Sequence, residues 1–196
     1  MPDKDDFFTI EKLRELGVLD KSNKTNIAKG IFHSDTKEIL LDAKNKIIKV
    51  STPKTELITG KVLKNQTANN LSHVSSTIPA TVAITSLDNK KIDQSKRLFF
   101  AYITQEANSG MEASFDQLYL TKMGKAPILL RTGKLKALLK LNPNKTYKLY
   151  PLSLNGERRE EIPCEFKNGI LKIEIDTHKL PNGPTTLFEI VSNNDK

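Results

Sequence analysis

Apolar and polar residues alternate along most of the chain after Ile31. In the segments 134–141 and 171–176, leucine, isoleucine and alanine alternate with lysine and acidic residues. A period of two places apolar side chains on one face of a strand, so these segments are predicted to be half-buried strands. The segment 98–103, Leu-Phe-Phe-Ala-Tyr-Ile, is apolar on both faces. We expect it to be a central strand that is covered on both sides.

Short turn sequences separate the predicted strands. Asn155-Gly156 joins a strand over 147–152 to one over 158–166, and Asn168-Gly169 joins the latter to 170–176. Both dipeptides tolerate the positive backbone angles of tight hairpin turns. About ten short strands punctuated in this way predict an all-β fold, an antiparallel two-layer β-sandwich.

The N-terminal segment has a different pattern. Thr9 is a suitable N-cap, Ile10 and Leu13 begin an apolar stripe, and Gly17 suits a left-handed helix end. A polar connector follows over 20–29. We therefore predict a linker with a short helix over residues 1–30 and one sandwich domain over residues 31–192.

Composition is consistent with one soluble domain. A chain of 196 residues with 37% hydrophobic and 28% charged residues is long enough to bury about 70% of its unfolded surface. No apolar run approaches the roughly 20 residues that span a bilayer, so no membrane association is expected. Residues 1–8 form an acidic segment that lacks the apolar stretch of a secretory signal.

The formal net charge of +8 favours acidic partners. The lysines, however, are spread along the chain and alternate with apolar and acidic residues, as on the solvated face of a strand. A polyanion-binding module would need its lysines gathered on one face. It stays an alternative, and no nucleic-acid partner is predicted.

No residues with metal-binding or cofactor-binding spacing are found. The three histidines lie far apart, and we expect His33-Ser34-Asp35 to be a turn in which the aspartate caps backbone donors. Cys164 is the only cysteine, which excludes an internal disulfide, and its position predicts a small core residue. We therefore expect no metal and no cofactor.

Several segments, in this order and spacing, carry a family resemblance: 34–39 (S-D-T-K-E-I), 47–50, 52–55 (T-P-K-T), 82–90 (V-A-I-T-S-L-D-N-K), 95–103, 108–111 (N-S-G-M) and 124–129 (G-K-A-P-I-L). Together they resemble the β-sandwich that follows the catalytic barrel in a group of bacterial glycoside hydrolases. Met123 stands where that family usually has Trp.

The resemblance implies a non-catalytic, C-terminal accessory domain of a carbohydrate-degrading enzyme that is secreted or periplasmic. Its partners would be the catalytic barrel and, through it, a polysaccharide. Glycoside hydrolysis needs two carboxyl groups that face each other across the scissile bond. The pairs Glu106 with Glu112 and Glu160 with Glu161 stand in polar contexts, so we predict no catalytic residue in this chain.

The segment Asn108-Ser109-Gly110-Met111 is our predicted contact with the barrel, because it follows the most apolar strand and places Met beside a flexible Gly. The alternative is a surface turn with Met111 folded into the core. A free-standing carbohydrate-binding module is a second alternative, which would need exposed aromatic rings. The chain has no Trp and four Tyr, of which Tyr119 alone is predicted to lie near a loop.

Overall fold

The computed structural model describes residues 9–116 and 118–192, and these are mostly antiparallel β-structure. The predicted all-β sandwich with a short N-terminal helix is confirmed. In the described residues, helix α1 (Ile10–Glu15) precedes sixteen strands and a single 3-10 turn, Ile92–Gln94. The strands are β1 (Ile31–His33), β2 (Ile39–Asp42), β3 (Ile47–Ser51), β4 (Thr55–Gly60), β5 (Leu71–Ser76), β6 (Ala80–Ser86), β7 (Arg97–Ile103), β8 (Glu106–Ser109), β9 (Glu112–Ala113), β10 (Leu120–Lys122), β11 (Lys125–Leu130), β12 (Lys134–Lys140), β13 (Tyr147–Pro151), β14 (Glu165–Lys167), β15 (Ile170–Asp176) and β16 (Leu187–Ser192).

Two sheets enclose the core. The large sheet has eight strands in the order β1-β2-β3-β4-β6-β7-β16-β13, and the small sheet has four in the order β14-β15-β12-β5. Alternate residues of each strand point between the sheets, and burying each large apolar side chain there stabilises the fold by about 1.5 to 3 kcal/mol. Apolar residues of β6, β7 and β15 are buried there: Val82, Ile84, Leu98, Phe100, Leu171, Ile173 and Ile175.

Helix α1 begins and ends at the predicted residues. The Thr9 side chain accepts a hydrogen bond from the Lys12 amide at 3.2 Å, which satisfies one of the unpaired donors of the first turn. Gly17 has φ +71° and terminates the helical segment. No residue of α1 is fully buried. None of the helices in the described part of the chain has the length and hydropathy of a membrane span.

The connector after α1 lies along the edge of the large sheet. The Arg14 guanidinium donates to the carbonyls of Asn23 (2.8 Å) and Thr25 (2.6 Å). The Asn23 amide is buried and donates to the carbonyls of His33 (3.1 Å) and Ser34 (2.8 Å). These bonds attach the connector to β1 and to the turn that follows it.

The prediction of a strand over 158–166 is wrong for most of that segment. Only β14 is a strand, and isolated bridges join Arg158 to Leu152 and Ile162 to Leu149. The bridges lie on the large sheet whereas β14 pairs with β15 of the small sheet, so this segment crosses between the sheets. Pro163 lies at the crossing. Proline has no backbone N–H to donate, and at this position no hydrogen bond between paired strands is lost because of it.

A β-arm leaves the sandwich between β7 and β12. Strand β8 pairs with β11 and strand β9 with β10, and each pair is a two-stranded sheet of its own. We call residues 104–131 the arm. Because its strands extend neither main sheet, the arm is a separate layer with little shared core.

Candidate functional site

The outer face of the small sheet is charged. Its outward residues include Lys134, Lys136, Lys140, Glu165, Lys172 and Glu174. Lys172 and Lys136 both approach the Glu174 carboxylate, at 3.2 Å and 3.5 Å. Paired and interleaved charges of this kind form an ordinary solvated sheet face. These lysines do not build a surface of one charge sign.

The outer face of the large sheet is apolar across most of its width. Cross-strand pairing aligns two rows of outward residues, namely Phe32, Leu41, Ile48, Thr59, Thr81 and Ile103, and next to them Ile39, Val50, Leu57, Ala83, Ala101 and Leu187. No residue of either row is charged. We call these two rows the apolar face.

Large side chains of the apolar face are open to solvent. The exposed fractions of Phe32, Ile39 and Ile103 are 44%, 50% and 43%. The prediction that strand 98–103 is covered on both sides therefore holds on the inner side, whereas on the outer side Ala101 is buried (2% exposed) and Ile103 is open to solvent. The sign of this face in the sequence is the same doubly apolar strand, 98–103. An uncovered apolar sheet face is typical of a surface that binds another protein or domain.

A charged cluster borders the apolar face on one side. Glu189 lies in the adjoining row, its side chain is 4% exposed, and it accepts hydrogen bonds from Arg158 (2.5 Å) and Arg97. Arg158 also lies over the Tyr150 ring, at 5.3 Å from its centroid. Burial raises the pKa of the Glu189 carboxyl, but the bonds from Arg158 and Arg97 outweigh burial and hold that pKa below its usual value. The Glu189 carboxylate is thus paired, and the cluster of two arginines and one glutamate keeps a net charge of +1.

The arm carries a second set of exposed apolar residues. They are Met111, Phe115, Leu118, Tyr119, Leu120, Met123, Ile128 and Leu129, and each is at least 39% exposed. Hydrogen bonds order the tip of the arm, since the Ser114 hydroxyl donates to Asp116 (2.5 Å) and accepts from the Tyr119 amide (3.0 Å). The Ser114 hydroxyl and the Leu118 amide lower the pKa of Asp116. The tip thus presents its apolar side chains on a closed turn.

The predicted contact residues lie in the arm. Asn108 and Ser109 end strand β8, and Gly110 forms the following turn with φ +69°. The side-chain amide of Asn108 donates to the Met123 carbonyl at 3.0 Å. Met111 is 39% exposed, so the alternative in which it folds into the core is excluded. Contact of Asn108, Ser109, Gly110 and Met111 with a partner stays a prediction.

A groove of about 660 Å³ lies where the arm leaves the large sheet. Its floor is formed by residues of the apolar face, Leu41, Ile48, Thr59, Thr81 and Ile103, and Gln105 lines the arm side. Three cations also line it: Lys46, Lys61 and Arg131. We call this site the basic groove. It joins the apolar face to the arm in one continuous surface.

The carboxylates considered for catalysis are all exposed, and two of them pair with lysines. Glu112 pairs with Lys122 at 2.9 Å, and Glu161 pairs with Lys148 at 2.8 Å. Glu106 and Glu160 are exposed. Within residues 9–116 and 118–192, no group of three or more His, Cys, Asp or Glu side chains could hold a metal ion.

The remaining predicted residues have structural roles. The His33 ring accepts from the Lys24 amide at 3.1 Å, and Asp35 accepts from the Thr36 amide at 2.8 Å, as expected for a turn. Cys164 is half-buried and packs against the core, and burial raises the pKa of its thiol. Neither feature points to chemistry at these residues.

Comparisons with protein-family models, with curated proteins and with solved structures found no match for this chain. Inference about its function therefore depends on its surfaces and on the motifs described above.

Proposed function

We propose that this chain is a non-catalytic accessory domain that packs on, and stabilises, the barrel of a carbohydrate-degrading enzyme. The observation that carries the proposal is the apolar face of the large sheet. The small sheet of the same molecule provides an internal comparison, because charged residues lie on the outer faces of β12, β14 and β15. The outer face of the small sheet is thus suited to contact with water, and the outer face of the large sheet is suited to contact with a partner.

The physical argument is the cost of exposing the apolar face. Each Å² of apolar surface removed from water contributes about 25 cal/mol, and domain interfaces within one chain bury about 600 to 1,500 Å². Ile39, Ile48 and Ile103 lie in adjoining rows and are each at least 40% exposed. Covering them with a second domain stabilises both domains.

The arm supplies a second contact region, whose base adjoins the apolar face at the basic groove. It begins directly after Ile103, the last residue of the first row of the apolar face. Tyr119 and Phe115 at its tip are 71% and 107% exposed, and aromatic side chains of this kind dominate the energetics of many interfaces. Asn108 to Met111 lie between the tip and the sheet, where a partner held by both would contact them.

The identity of the partner as a glycosidase barrel depends on the family resemblance. The exposed, lysine-paired carboxylates Glu112 and Glu161 fit the non-catalytic part of such an enzyme, because the barrel would supply the acid and the nucleophile or base. The accessory domain would act through the barrel's stability and, through the arm, at the rim of the barrel's cleft.

The exposed rings of Phe115 and Tyr119 favour a second candidate, a free-standing carbohydrate-binding module. Aromatic rings can stack on the apolar faces of sugars. A glycan array distinguishes the two functions. Binding that is lost in Tyr119→Ala, with no affinity for a barrel, would support the module.

Sequencing upstream of this segment should find a barrel-encoding frame, and binding to that barrel tests the proposed function. Calorimetry should detect binding of the wild-type chain, and Ile48→Lys with Ile103→Lys should weaken it about tenfold or more, since each lysine would be desolvated in the contact. Leu138→Lys, on the outer face of the small sheet, is the matched control and should bind normally. The isolated chain should hydrolyse no aryl glycoside. The absence of an adjoining barrel, or turnover that depends on one carboxylate of this chain, would overturn the proposal.

A further inference from the structure

The basic groove has an unusual combination of side chains. It is lined by apolar side chains, by the threonines Thr59 and Thr81, and by three cations, Lys46, Lys61 and Arg131. No acidic residue lines it in the described part of the chain. Elsewhere on the molecule cations are mixed with carboxylates, as where Lys172 and Lys136 share Glu174.

The three cations of the groove form no ion pair with any described residue. All three are exposed. Arg131 is held at the arm base by its backbone, whose amide donates to Gln105 (2.8 Å) and whose carbonyl accepts from the Thr104 hydroxyl (2.6 Å). The three therefore produce a positive potential above an apolar floor.

Covering the apolar face with a partner would bring these cations into the contact. Desolvating cations without partners costs free energy, whereas carboxylates placed opposite them would offset that cost and fix the orientation of docking. An interface with an apolar centre and opposed charges at its rim satisfies both requirements.

We infer that the partner docked on the apolar face inserts a carboxylate-bearing edge, with Asp or Glu side chains, into the basic groove. This inference rests on the proposed function and specifies the chemistry of the barrel surface. The apolar face supplies most of the contact area, and the groove selects the partner and its orientation. Attraction between opposed charges also accelerates association and makes it sensitive to salt.

Charge reversal in the groove tests the inference. The variant carries Lys46→Glu, Lys61→Glu and Arg131→Glu, and the matched control carries Lys140→Glu, Lys167→Glu and Lys179→Glu, three exposed lysines away from the groove. Both sets change the net charge equally. The groove variant should bind the barrel about tenfold or more weakly at about 50 mM salt, and this deficit should shrink at about 500 mM salt. The control should bind like the wild type at both salt concentrations.

A milder variant keeps the test valid if charge reversal disturbs folding. Lys46→Gln, Lys61→Gln and Arg131→Gln remove charge without repulsion, and circular dichroism with a melting curve checks both sets for folding. The Gln variant should have weaker binding and a flatter salt dependence than the wild type.

The possible outcomes separate the two proposals. If the wild-type chain does not bind the barrel, the proposed function fails and the inference fails with it. If the wild type and the groove variant bind equally, the inference alone is overturned. If the wild type binds polygalacturonate, the groove variant loses that binding, and barrel binding is unchanged, the groove is an acidic-sugar site instead.

Discussion

Asp88 shows what the motifs behind the family resemblance do at the residue scale. Its carboxylate accepts hydrogen bonds from the hydroxyls of Ser86 (2.8 Å) and Ser95 (2.7 Å) and from the Lys96 amide (2.8 Å). These residues close the connection between β6 and β7. The Ser-Leu-Asp segment and the following Ser are therefore explained by turn chemistry.

Two other motif segments have the same kind of role. The Thr52 hydroxyl accepts from the Thr55 amide at 2.9 Å, and the Ser34 hydroxyl accepts from the Ile39 amide at 3.1 Å. Each bond orders a turn between neighbouring strands of the large sheet. The quoted motifs thus hold connections in place, and the apolar surface that we assign to partner binding lies beside them.

Asp88→Asn should destabilise the protein in a pH-dependent way. Burial raises the pKa of Asp88, but the Lys96 amide and the serine hydroxyls outweigh burial and lower that pKa from 3.8 to about 2. Because the pKa in the folded state is depressed, the stabilisation is fully present above pH 3.8 and is lost as the pH falls towards about 2. Melting temperatures of the wild type and the variant should differ at neutral pH and converge in that acidic range. A gap that is constant with pH would contradict this role of the carboxylate.

Strand β15 provides the test of register at the scale of elements. Ile173 is fully buried opposite Ala137, whereas the Lys172 side chain is 50% exposed. Ile173→Ala should destabilise the fold by about 2 to 5 kcal/mol because it leaves a cavity. Lys172→Ala should change stability by no more than about 0.5 kcal/mol. Urea unfolding measures both changes, and similar values would mean that the register is wrong.

Gly124 is predicted to be required for the geometry of the arm. It has φ +69°, and an added Cβ would lie 2.6 Å from the Ser109 carbonyl oxygen and 2.7 Å from the Met111 amide nitrogen. Gly110 has the same φ, but its added Cβ would meet nothing within 4 Å. Gly124→Ala should shift backbone NMR signals throughout β8 and β11, whereas Gly110→Ala should affect only its neighbours, at a cost of about 1 kcal/mol.

Neither substitution should alter the signals of β12 or β15, because the arm pairs only within itself in the described residues. Equal effects of the two substitutions would contradict the close packing at Gly124.

Hydrophobic periodicity predicted the strands whose alternation reflects one buried face, such as β12 and β15. It failed over 158–166, because no local pattern shows that a segment changes sheets at Pro163. Hydrophobic periodicity also did not predict the arm. Phe115, Leu118 and Ile128 have the composition of core residues, and their exposure depends on how the whole chain packs.

The predicted contact residues show the same limit. The segment 108–111 was chosen from its Gly and Met, and the structure places it in the arm. Each row of the apolar face combines residues from six strands, so it forms only when those strands pair in register. The sequence alone could therefore indicate only the doubly apolar strand. The basic groove likewise combines Lys46, Lys61 and Arg131 from three distant parts of the chain.

The whole molecule has two sides with different surface chemistry. The small sheet presents charge to solvent, and the large sheet presents the apolar face, which ends at the basic groove and the arm. A two-layer sandwich needs only its inner faces for a core, so the outer apolar rows are not explained by this domain's own folding. We propose that a third layer, supplied by a partner, covers them.

Hydroxyl-radical footprinting with and without the proposed barrel partner reports the solvent access of individual side chains on both outer faces. We predict that the barrel protects Phe32, Ile103 and Met111 from oxidation and leaves Leu138 and Ile170, on the outer face of the small sheet, unchanged. Protection of Leu138 and Ile170 without protection of Phe32 and Ile103 would contradict the account.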